Sequence, residues 1–488
     1  AANQLSLPDL QQRNFLFDWT YSLNHNLTRA LRLNFTASSN NIVKNYYEDT
    51  PDGGQRVDKA IGIWDGLWDF GDANRHFQSL NLTYKLPFNY LPYLSFIDAN
   101  FSYTGDFNWQ RGSDVLADVQ NEAGDVLGIV NTIQNVNSKA LNGSISTSRL
   151  YQILGIQKKR RGVQPIARRS LPQAQDTTKT KKPKKKRKVL TKVVDVLNTL
   201  KRLQFSYTEN NGQVLPGYLP KVGMVGTLQP TAAFTFGGQA DIRYDAAKKG
   251  WLTDFPNFNQ PFNQVHSSQL NLTGQLDFGK GFIVDLNAER NFSESITENF
   301  NVVNQEYVPL NTNIFGNFGT STVLIKTAFK RSSGEASPYF DQFRTYRQSI
   351  AERLANARGL DLSQRDEEGY PAGYGKSQQE VVIPAFLAAY AGTSPENISL
   401  DPIQKVPLPN WNVKFTGLMD VKSIKKRFNR FSITHGYRAS YTINQFQTNL
   451  DYDPATPNAK DSGGNFIPEK LYGNINLVEQ FNPLVRVD

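Results

Sequence analysis

Hydrophobic and polar residues alternate along long stretches of this chain. In residues 15–23 the odd positions are large and apolar or aromatic, and the even positions from Asp18 onward are polar. The same period of two recurs in about a dozen segments and predicts β-strands with one apolar and one polar face. The predicted strands span residues 15–23, 30–38, 78–86, 94–104, 139–149, 201–208, 231–244, 268–278, 282–291, 320–329, 411–420 and 429–443.

The lengths of these strands and the placement of their charges favour a membrane protein. Strands of globular proteins usually have about 5–6 residues, whereas a strand that crosses a membrane needs about 9–11. The charged residues lie opposite the apolar set, with His435 as the exception: Asp18, Arg32, Lys85, Asp277, Asp285, Glu289 and Arg438. A soluble sandwich would also alternate, but lipid forbids charge on one face. The pattern therefore predicts an all-β fold, a transmembrane antiparallel β-barrel segment.

Composition narrows the class further. The chain has no cysteine, which excludes disulfides and cysteine–metal sites. It has no run of about 18 apolar residues, as a membrane helix would need. Tyrosine and tryptophan concentrate near the ends of predicted strands, as in an interfacial aromatic girdle. These residues are Trp19, Tyr21, Tyr103, Trp109, Tyr207, Tyr244 and Trp411.

The links between strands differ in length. Short links are 24–29, 87–93 and 279–281, where Gly279-Lys280-Gly281 predicts a tight hairpin. Long links are 39–77, 105–138 and 292–319. Because outer-membrane barrels have short periplasmic turns and long external loops, the long links are expected outside. We divide the chain into strands with long loops (1–329), a helical insertion (330–410) and further strands (411–488).

The insertion has helical periodicity. Residues 340–354 place apolar side chains at helical spacing and Gly359 is a plausible stop. Residues 382–390 form a second helical piece before Gly392, and Ser394-Pro395 could begin a third. This unit is predicted to be a cap or docking surface, or a rigid loop that packs over the barrel mouth.

One basic segment dominates the net charge of +10. Residues 158–192 hold fifteen Lys and Arg against Asp176, so the remainder of the chain is slightly acidic. The run Pro183-Lys184-Lys185-Lys186-Arg187-Lys188-Val189 resembles a nuclear-localisation motif. No aromatic residue interleaves it and it lies between membrane strands, so nucleic-acid binding is not expected. The prediction is a partly disordered basic loop over 157–192, against anionic lipid head groups or helping to fix orientation.

The sequence contains no recognisable catalytic, cofactor-binding or metal-ligating motif. The four histidines, His25, His76, His266 and His435, are scattered and lack metal-ligand spacing. We therefore name no candidate catalytic, cofactor or metal residue and expect a protein that is not an enzyme. The aromatic stretch from Gly250 to Phe262 has two interpretations: a loop that folds into the lumen or gates an opening, or a packed turn between strands.

The stretch from Trp251 to Phe262, the segment Pro384-Ala385-Phe386-Leu387-Ala388-Ala389-Tyr390 and the long Asn-rich strands resemble the SprA/Sov family. These are giant outer-membrane proteins of the type IX secretion system, linked to gliding motility. The resemblance covers the whole chain and implies a C-terminal-half segment of a single-chain barrel that exports folded cargo. It also implies a PorV-type outer-membrane barrel, a plug protein, secreted cargo proteins, lipopolysaccharide and the remaining barrel segments as partners. Loops would face the cell surface and the periplasm.

Two other functions compete with a protein-conducting channel. One is a porin or nutrient transporter, and the other is a surface adhesin or structural gliding protein. Neither Ala1-Ala2-Asn3-Gln4 nor the abrupt end at Asp488 resembles a natural terminus. The expectation is therefore a piece of a longer protein.

Overall fold

The fold is known from a computed structural model. It describes residues 15–43, 47–49, 55–57, 70–113, 120, 124, 127–153, 199–223, 227–256, 258–329 and 337–488. The predicted basic loop over 157–192 lies outside these residues. The described part is mostly an antiparallel sheet of 13 strands, accompanied by a separate two-stranded hairpin and a few helices. The all-β prediction is confirmed at this level.

The strands have the following bounds: β1 (Phe15–Asn26), β2 (Leu31–Val43), β3 (Tyr47–Asp49), β4 (Gln55–Val57), β5 (Asp72–Lys85), β6 (Ile97–Gln110), β7 (Asn131–Ser146), β8 (Leu200–Tyr218), β9 (Phe262–Gly279), β10 (Phe282–Val303), β11 (Glu306–Ser321), β12 (Asn410–Phe415), β13 (Ile433–Thr448), β14 (Lys470–Phe481) and β15 (Arg486–Val487). The helices are α1 (Thr147–Ile153), α2 (Ala232–Thr235), α3 (Arg243–Lys248), α4 (Pro338–Ala357), α5 (Gln379–Ala391) and α6 (Lys422–Lys425), with 3₁₀ turns at Phe88–Tyr90 and Gly417–Asp420.

Successive long strands pair with one another, so the sheet is an antiparallel meander from β1 to β14. The predicted hairpin at Gly279-Lys280-Gly281 is confirmed, and Lys280 has a φ of 51° there. A second tight turn joins β10 to β11, where Asn304 and Gln305 both have positive φ. Two central residues at positive φ match the right-handed twist of the flanking strands.

One position in the sheet is shared by two strands. β11 pairs with residues 290–303 of β10, and β12 pairs with residues 282–287 of the same strand. On the other side, both pair with β13. β11 and β12 therefore lie end to end between β10 and β13, and the residues that connect them, 322–409, leave the sheet at that point. We call residues 322–409 the helical insertion. Since β14 and β15 likewise share the far side of β13, the thirteen strands occupy eleven positions.

Three predictions of strands and links are wrong. Residues 231–244 form no strand; they hold α2 and the start of α3, because the Thr231 hydroxyl accepts from the Phe234 amide and caps a short helix. The predicted strand 320–329 ends at Ser321, where the helical insertion leaves the sheet. The predicted long link 292–319 is a continuous hairpin of β10 and β11, and β14 was not predicted at all.

Both predicted helices of the insertion are confirmed. The Ser337 hydroxyl accepts from the Phe340 amide at the start of α4. Gly392 ends α5 in the left-handed region with a φ of 61°, which glycine adopts without steric cost. The third helical piece is wrong, since residues 395–397 form only a turn. In the structure, residues 322–409 separate β11 from β12.

The two ends of the sheet carry different connections. At one end, which we call the turn end, residues 27–30, 86–96, 280–281 and 416–432 connect neighbouring strands. At the other, the cover end, residues 219–261 leave β8 and return to β9; we call them the cover segment. The link 147–199, which contains the basic segment, also leaves from the turn end. Long links therefore occur at both ends of the sheet, and the length of a link does not show at which end it lies.

Candidate functional site: two faces of the sheet

Cross-strand register divides the side chains into two faces. Asp18 lies opposite Asn40, which lies opposite Arg75, and Asp285 lies opposite Asn412. These residues belong to a polar face that continues across all eleven positions, mostly as Asn, Gln, Ser and Thr. Leucine and aromatic residues occupy the other, apolar face, as in the row Phe101, Leu141, Tyr207 and Leu270. The predicted separation is confirmed for the seven charged residues named from the sequence, but Arg290 of the predicted strand 282–291 lies on the apolar face, opposite Leu270.

The polar face contains shallow hollows that span several strands. One, of about 520 Å³, is lined by Arg202, Asp285, Glu289 and Arg438, among others. A second, of about 500 Å³, adjoins it through Arg202 and is lined by Lys85 and Asp98. The first hollow holds two cations and two carboxylates, and the second holds Lys85 and Arg202 with Asp98, so this surface presents groups of both signs of charge.

The apolar face is covered by the protein itself near the cover end. The cover segment folds back over β6, β7, β8 and β10 and buries a continuous hydrophobic cluster. Phe107, Ile133 and Leu215 are at most 1% exposed beneath it. Each such side chain contributes about 1.5–3 kcal/mol when fully buried.

Strand side chains under the cover segment donate hydrogen bonds to its backbone carbonyls. Asn135 Nδ2 donates to the Gly238 carbonyl at 2.6 Å, and Asn137 Nδ2 donates to the Gly237 carbonyl at 2.6 Å. Gln78 Nε2 reaches the Thr235 carbonyl at 2.8 Å. These amides are buried polar groups on an otherwise apolar face, and pairing with carbonyls satisfies both partners. They explain why the alternation of apolar residues breaks here.

A glycine contact brings the cover segment onto the sheet. A Cβ added to Gly105 of β6 would lie 2.1 Å from the Phe236 carbonyl oxygen. Gly237 follows with a φ of 88°. Because only glycine allows this approach, the backbone of the cover segment can touch the backbone of the strand.

An ionic cluster fixes α3 to β10 and β11. Arg243 pairs with Asp241 and with Glu298, whose side chain is only 7% exposed. Glu298 also accepts from the hydroxyls of Tyr307 at 2.8 Å and Thr312 at 2.6 Å. Burial opposes the charge of Arg243, but the hydrogen bond and charge of Asp241 outweigh it and raise the pKa of Arg243. A buried ion pair is tolerated when further hydrogen bonds satisfy its remaining polar atoms, as the two hydroxyls do for Glu298.

The helical insertion covers the apolar face of the last strands. Ile383 and Leu387 of α5 pack with Phe318, Tyr441 and Ile443. The Tyr441 hydroxyl donates to the Pro402 carbonyl at 3.0 Å. The insertion therefore packs against the apolar face of the sheet.

A row of residues marks the limit of the covered region. Register aligns Tyr103, Lys139, Glu209, Ser268 and Phe292, which we call the boundary row. Lys139 Nζ pairs with Glu209 Oε1 at 3.2 Å, and the Tyr103 hydroxyl donates to the Phe236 carbonyl at 2.6 Å.

Beyond the boundary row, the apolar face is bare towards the turn end. On β6 to β9 this bare band contains no charged side chain. On β10 it ends at Ala288, because Arg290, the next residue on that face, lies opposite Leu270 and donates to the Gln404 carbonyl of the helical insertion at 2.8 Å. The members of the band are Ile97, Ala99, Phe101, Leu141, Gly143, Ile145, Leu203, Phe205, Tyr207, Leu270, Leu272, Gly274, Leu276, Phe278, Phe282, Val284, Leu286 and Ala288. Most are half-buried, and Phe278 is 49% exposed. On β9 the band runs from Leu270 to Phe278, a length that matches the 9–11 residues of a strand that crosses a membrane.

The residues of the predicted aromatic girdle lie in different surroundings. Tyr103 and Tyr207 lie at or beside the boundary row, at the edge of the bare band. Trp109 is instead buried under the cover segment and donates to the Pro220 carbonyl at 3.1 Å. Tyr244 lies in α3 and not in a strand.

The aromatic stretch of the cover segment is a packed turn. Leu252 is 3% exposed, and Phe258 packs against Phe300 with ring centroids 6.0 Å apart. These contacts lie on the apolar face, opposite the hollows of the polar face. Of the two interpretations, the structure supports the packed turn, and the loop does not fold towards the polar side.

The histidines are not brought together. His76 is buried near Gln78, His266 lies 2.6 Å from Asn211 Oδ1, and His435 lies 2.6 Å from the Leu484 carbonyl. Within the described ranges, no three His, Asp or Glu side chains are grouped so that they could hold a metal ion. None of the helices in the described part of the chain is long and apolar enough to cross a membrane.

Comparison with known proteins adds little. No protein-family model matches the sequence, and no curated protein matches it. Among solved structures, the chain is similar to CdiB from Acinetobacter baumannii, with 8% identity and a TM-score of 0.16. The match covers 91% of this chain and 51% of that one, so the chain spans about half the length of that structure. A similarity this weak carries no argument about fold or function.

Sequence reasoning missed the covered half of the apolar face. The covered region is marked by amide and charged side chains on the apolar face, such as Asn135, Gln213 and Glu298. The sequence alone does not group these residues, because only the pairing of distant strands places them in one region of the face.

Proposed function

We propose that the sheet is part of the wall of a transmembrane β-barrel in a bacterial outer membrane. The polar face lines a water-filled lumen, and the bare band lies in lipid. One observation carries this proposal: charge is absent from the bare band on β6 to β9, while the polar face continues without a break behind it. A lysine or arginine on the lipid face at mid-depth costs about 2–4 kcal/mol.

We further propose that this wall belongs to the protein-conducting channel of the type IX secretion system and exports folded cargo. The resemblance of residues 251–262 and 384–390 to the SprA/Sov family supports this. The mixed charges of the hollows also support it, since a selective pore concentrates one sign of charge. In this proposal a PorV-type barrel, a plug protein and the cargo are partners.

The channel needs further strands in its wall. Among the described residues, β1 pairs with β2 alone and shows no pairing with β14. An unpaired strand edge is not tolerated in the hydrocarbon region. In the proposal, other strands of the same barrel complete the wall.

Disruption of the encoding gene in its own bacterium tests the proposal. We expect proteins with type IX signals to disappear from the medium and to return on complementation. A defect in small-solute uptake with normal secretion would favour a porin, and a defect confined to attachment would favour an adhesin. If the isolated chain forms a closed pore with small-solute conductance, the barrel proposal stands and the translocon proposal fails.

A further inference from the structure

A cationic turn lies at the turn end of the sheet. Residues 416–432 connect β12 to β13 and contain the 3₁₀ turn Gly417–Asp420 and helix α6. Its five cations are all exposed: Lys422, Lys425, Lys426, Arg427 and Arg430. Its one acid is Asp420. We call residues 416–432 the cationic turn.

The cations of this turn have no ion pair within the part of the chain that the structure describes. The nearby pair of Arg486 and Asp488, 2.8 Å apart, is complete in itself. Lys280 of the adjacent hairpin adds a further exposed cation. The Thr416 amide donates to the Gly281 carbonyl at 2.9 Å, which holds the turn beside that hairpin.

Apolar side chains are interleaved with the cations. Val421 is 45% exposed and Phe428 is 49% exposed. The ring of Phe428 packs on that of Phe431, two residues before Ile433, with centroids 5.7 Å apart. Ile433 lies opposite Phe415 in the sheet, so this cluster adjoins the apolar face.

An aromatic row joins the cationic turn to the bare band. The ring centroids of Phe278 and Phe282 are 5.4 Å apart, and those of Phe282 and Phe415 are 5.8 Å apart. Apolar surface thus continues from the bare band to the turn end of the sheet, where the cations of the cationic turn lie. This order of apolar, aromatic and cationic groups matches the depth profile of a membrane interface.

We propose that the cationic turn binds the head groups of anionic phospholipids at the membrane surface. The proposal rests on the proposed function, since it requires the bare band to lie in lipid. Lysine stems can follow the apolar surface while their ammonium groups reach lipid phosphates. Basic residues close to a membrane surface attract anionic lipids. An acidic protein or a nucleic acid would leave Val421 and Phe428 without an apolar environment, so a lipid surface fits better.

The test uses the full chain in phosphatidylcholine vesicles with spin-labelled lipids. The measured quantity is the association of labelled phosphatidylglycerol relative to labelled phosphatidylcholine. We expect a preference of roughly twofold to fivefold for the anionic lipid at low salt. It should fall in 1 M salt, where the Debye length is about 3 Å.

The variant K422Q/K425Q/K426Q should bring this ratio close to one. The matched control K248Q/R344Q/K405Q removes the same charge from exposed sites in α3, α4 and the insertion, and should keep the native ratio. Replacement of the same three lysines by arginine should also keep it.

Two outcomes overturn the inference: a native ratio of one, or an equal fall in both glutamine variants. Failure of the proposed function is distinguishable from either. In that case neither labelled lipid shows a motionally restricted population, because the chain has not entered the bilayer.

Discussion

Ser321 and Leu408 lie 87 residues apart in the sequence and close the helical insertion with two hydrogen bonds. The Ser321 hydroxyl donates to the Leu408 carbonyl at 2.6 Å, and the Leu408 amide donates to the Ser321 carbonyl at 3.0 Å. The same hydroxyl accepts from the Glu289 amide of β10 at 3.0 Å. One side chain therefore joins the end of β11, the approach to β12 and the strand beside both.

Ser321→Ala should loosen this junction. It removes one donor and one acceptor from a buried site, at a cost of about 1–3 kcal/mol. We expect faster amide exchange at Glu289 and easier proteolysis on either side of the junction. Ser440→Ala is the control, because Ser440 lies directly opposite Ser321 in β13. Equal exchange in the two variants would contradict the assigned role of the hydroxyl.

Glu298→Gln should weaken the attachment of the cover segment. It leaves Arg243 partly buried with one of its two carboxylates, and breaking a buried pair costs up to about 3–5 kcal/mol. Glu294→Gln is the control, because Glu294 lies on the same strand but pairs with Lys470 of β14 and not with α3. The check is amide exchange in α3, which should rise in the first variant alone.

Gly105→Ala should displace the cover segment from β6. Its new Cβ would lie 2.1 Å from the Phe236 carbonyl oxygen, and forced overpacking costs about 1–3 kcal/mol. In Gly212→Ala the nearest atom would be 3.5 Å away, an ordinary contact, so that variant should behave like the native chain. Limited proteolysis within 227–241 measures the difference, and similar cleavage of both variants would remove the role given to Gly105.

Single cysteines should separate the two faces of β9. Because the chain has no cysteine, each introduced thiol is unique. In proteoliposomes, Thr273→Cys and Gln275→Cys on the polar face should react with a water-soluble maleimide. Leu272→Cys and Leu276→Cys in the bare band should react far more slowly until detergent is added. Equal rates on both faces would contradict the assignment of the bare band to lipid.

Acid should stabilise α5 through Glu380. Burial raises the pKa of the Glu380 carboxyl, although the hydrogen bond from Gln378 and the charge of Arg358 act in the opposite direction. A carboxyl with a raised pKa favours the folded state when protonated, so this contribution is lost as the pH rises through the raised pKa. Glu380→Gln should therefore raise the melting temperature at pH 7 more than at pH 4. Glu367→Gln, at an exposed site, is the control; the same pH trend there would contradict this account.

Local patterns were sufficient for part of the fold. The Gly279-Lys280-Gly281 turn and the Gly392 helix end were predictable, because each depends on residues within a few positions. The interruption between Ser321 and Asn410 was not, since it is defined by pairing with β10. The hairpin of β10 and β11 was missed for a related reason. Charges such as Glu294 and Glu298 interrupt its apolar side, and they are tolerated because other segments of the chain lie over them.

The shared strand position has a consequence for the register of β12. Residues 322–409 bring Leu408 back to Ser321, so that β12 begins beside β10 at Asn410. The insertion thus works as a spacer whose folded length sets where β12 begins. A slip of one residue there would exchange Trp411 with Asn412 and turn every later side chain of β12 to the wrong face. The fidelity of this part of the sheet is therefore set by helices that lie outside it.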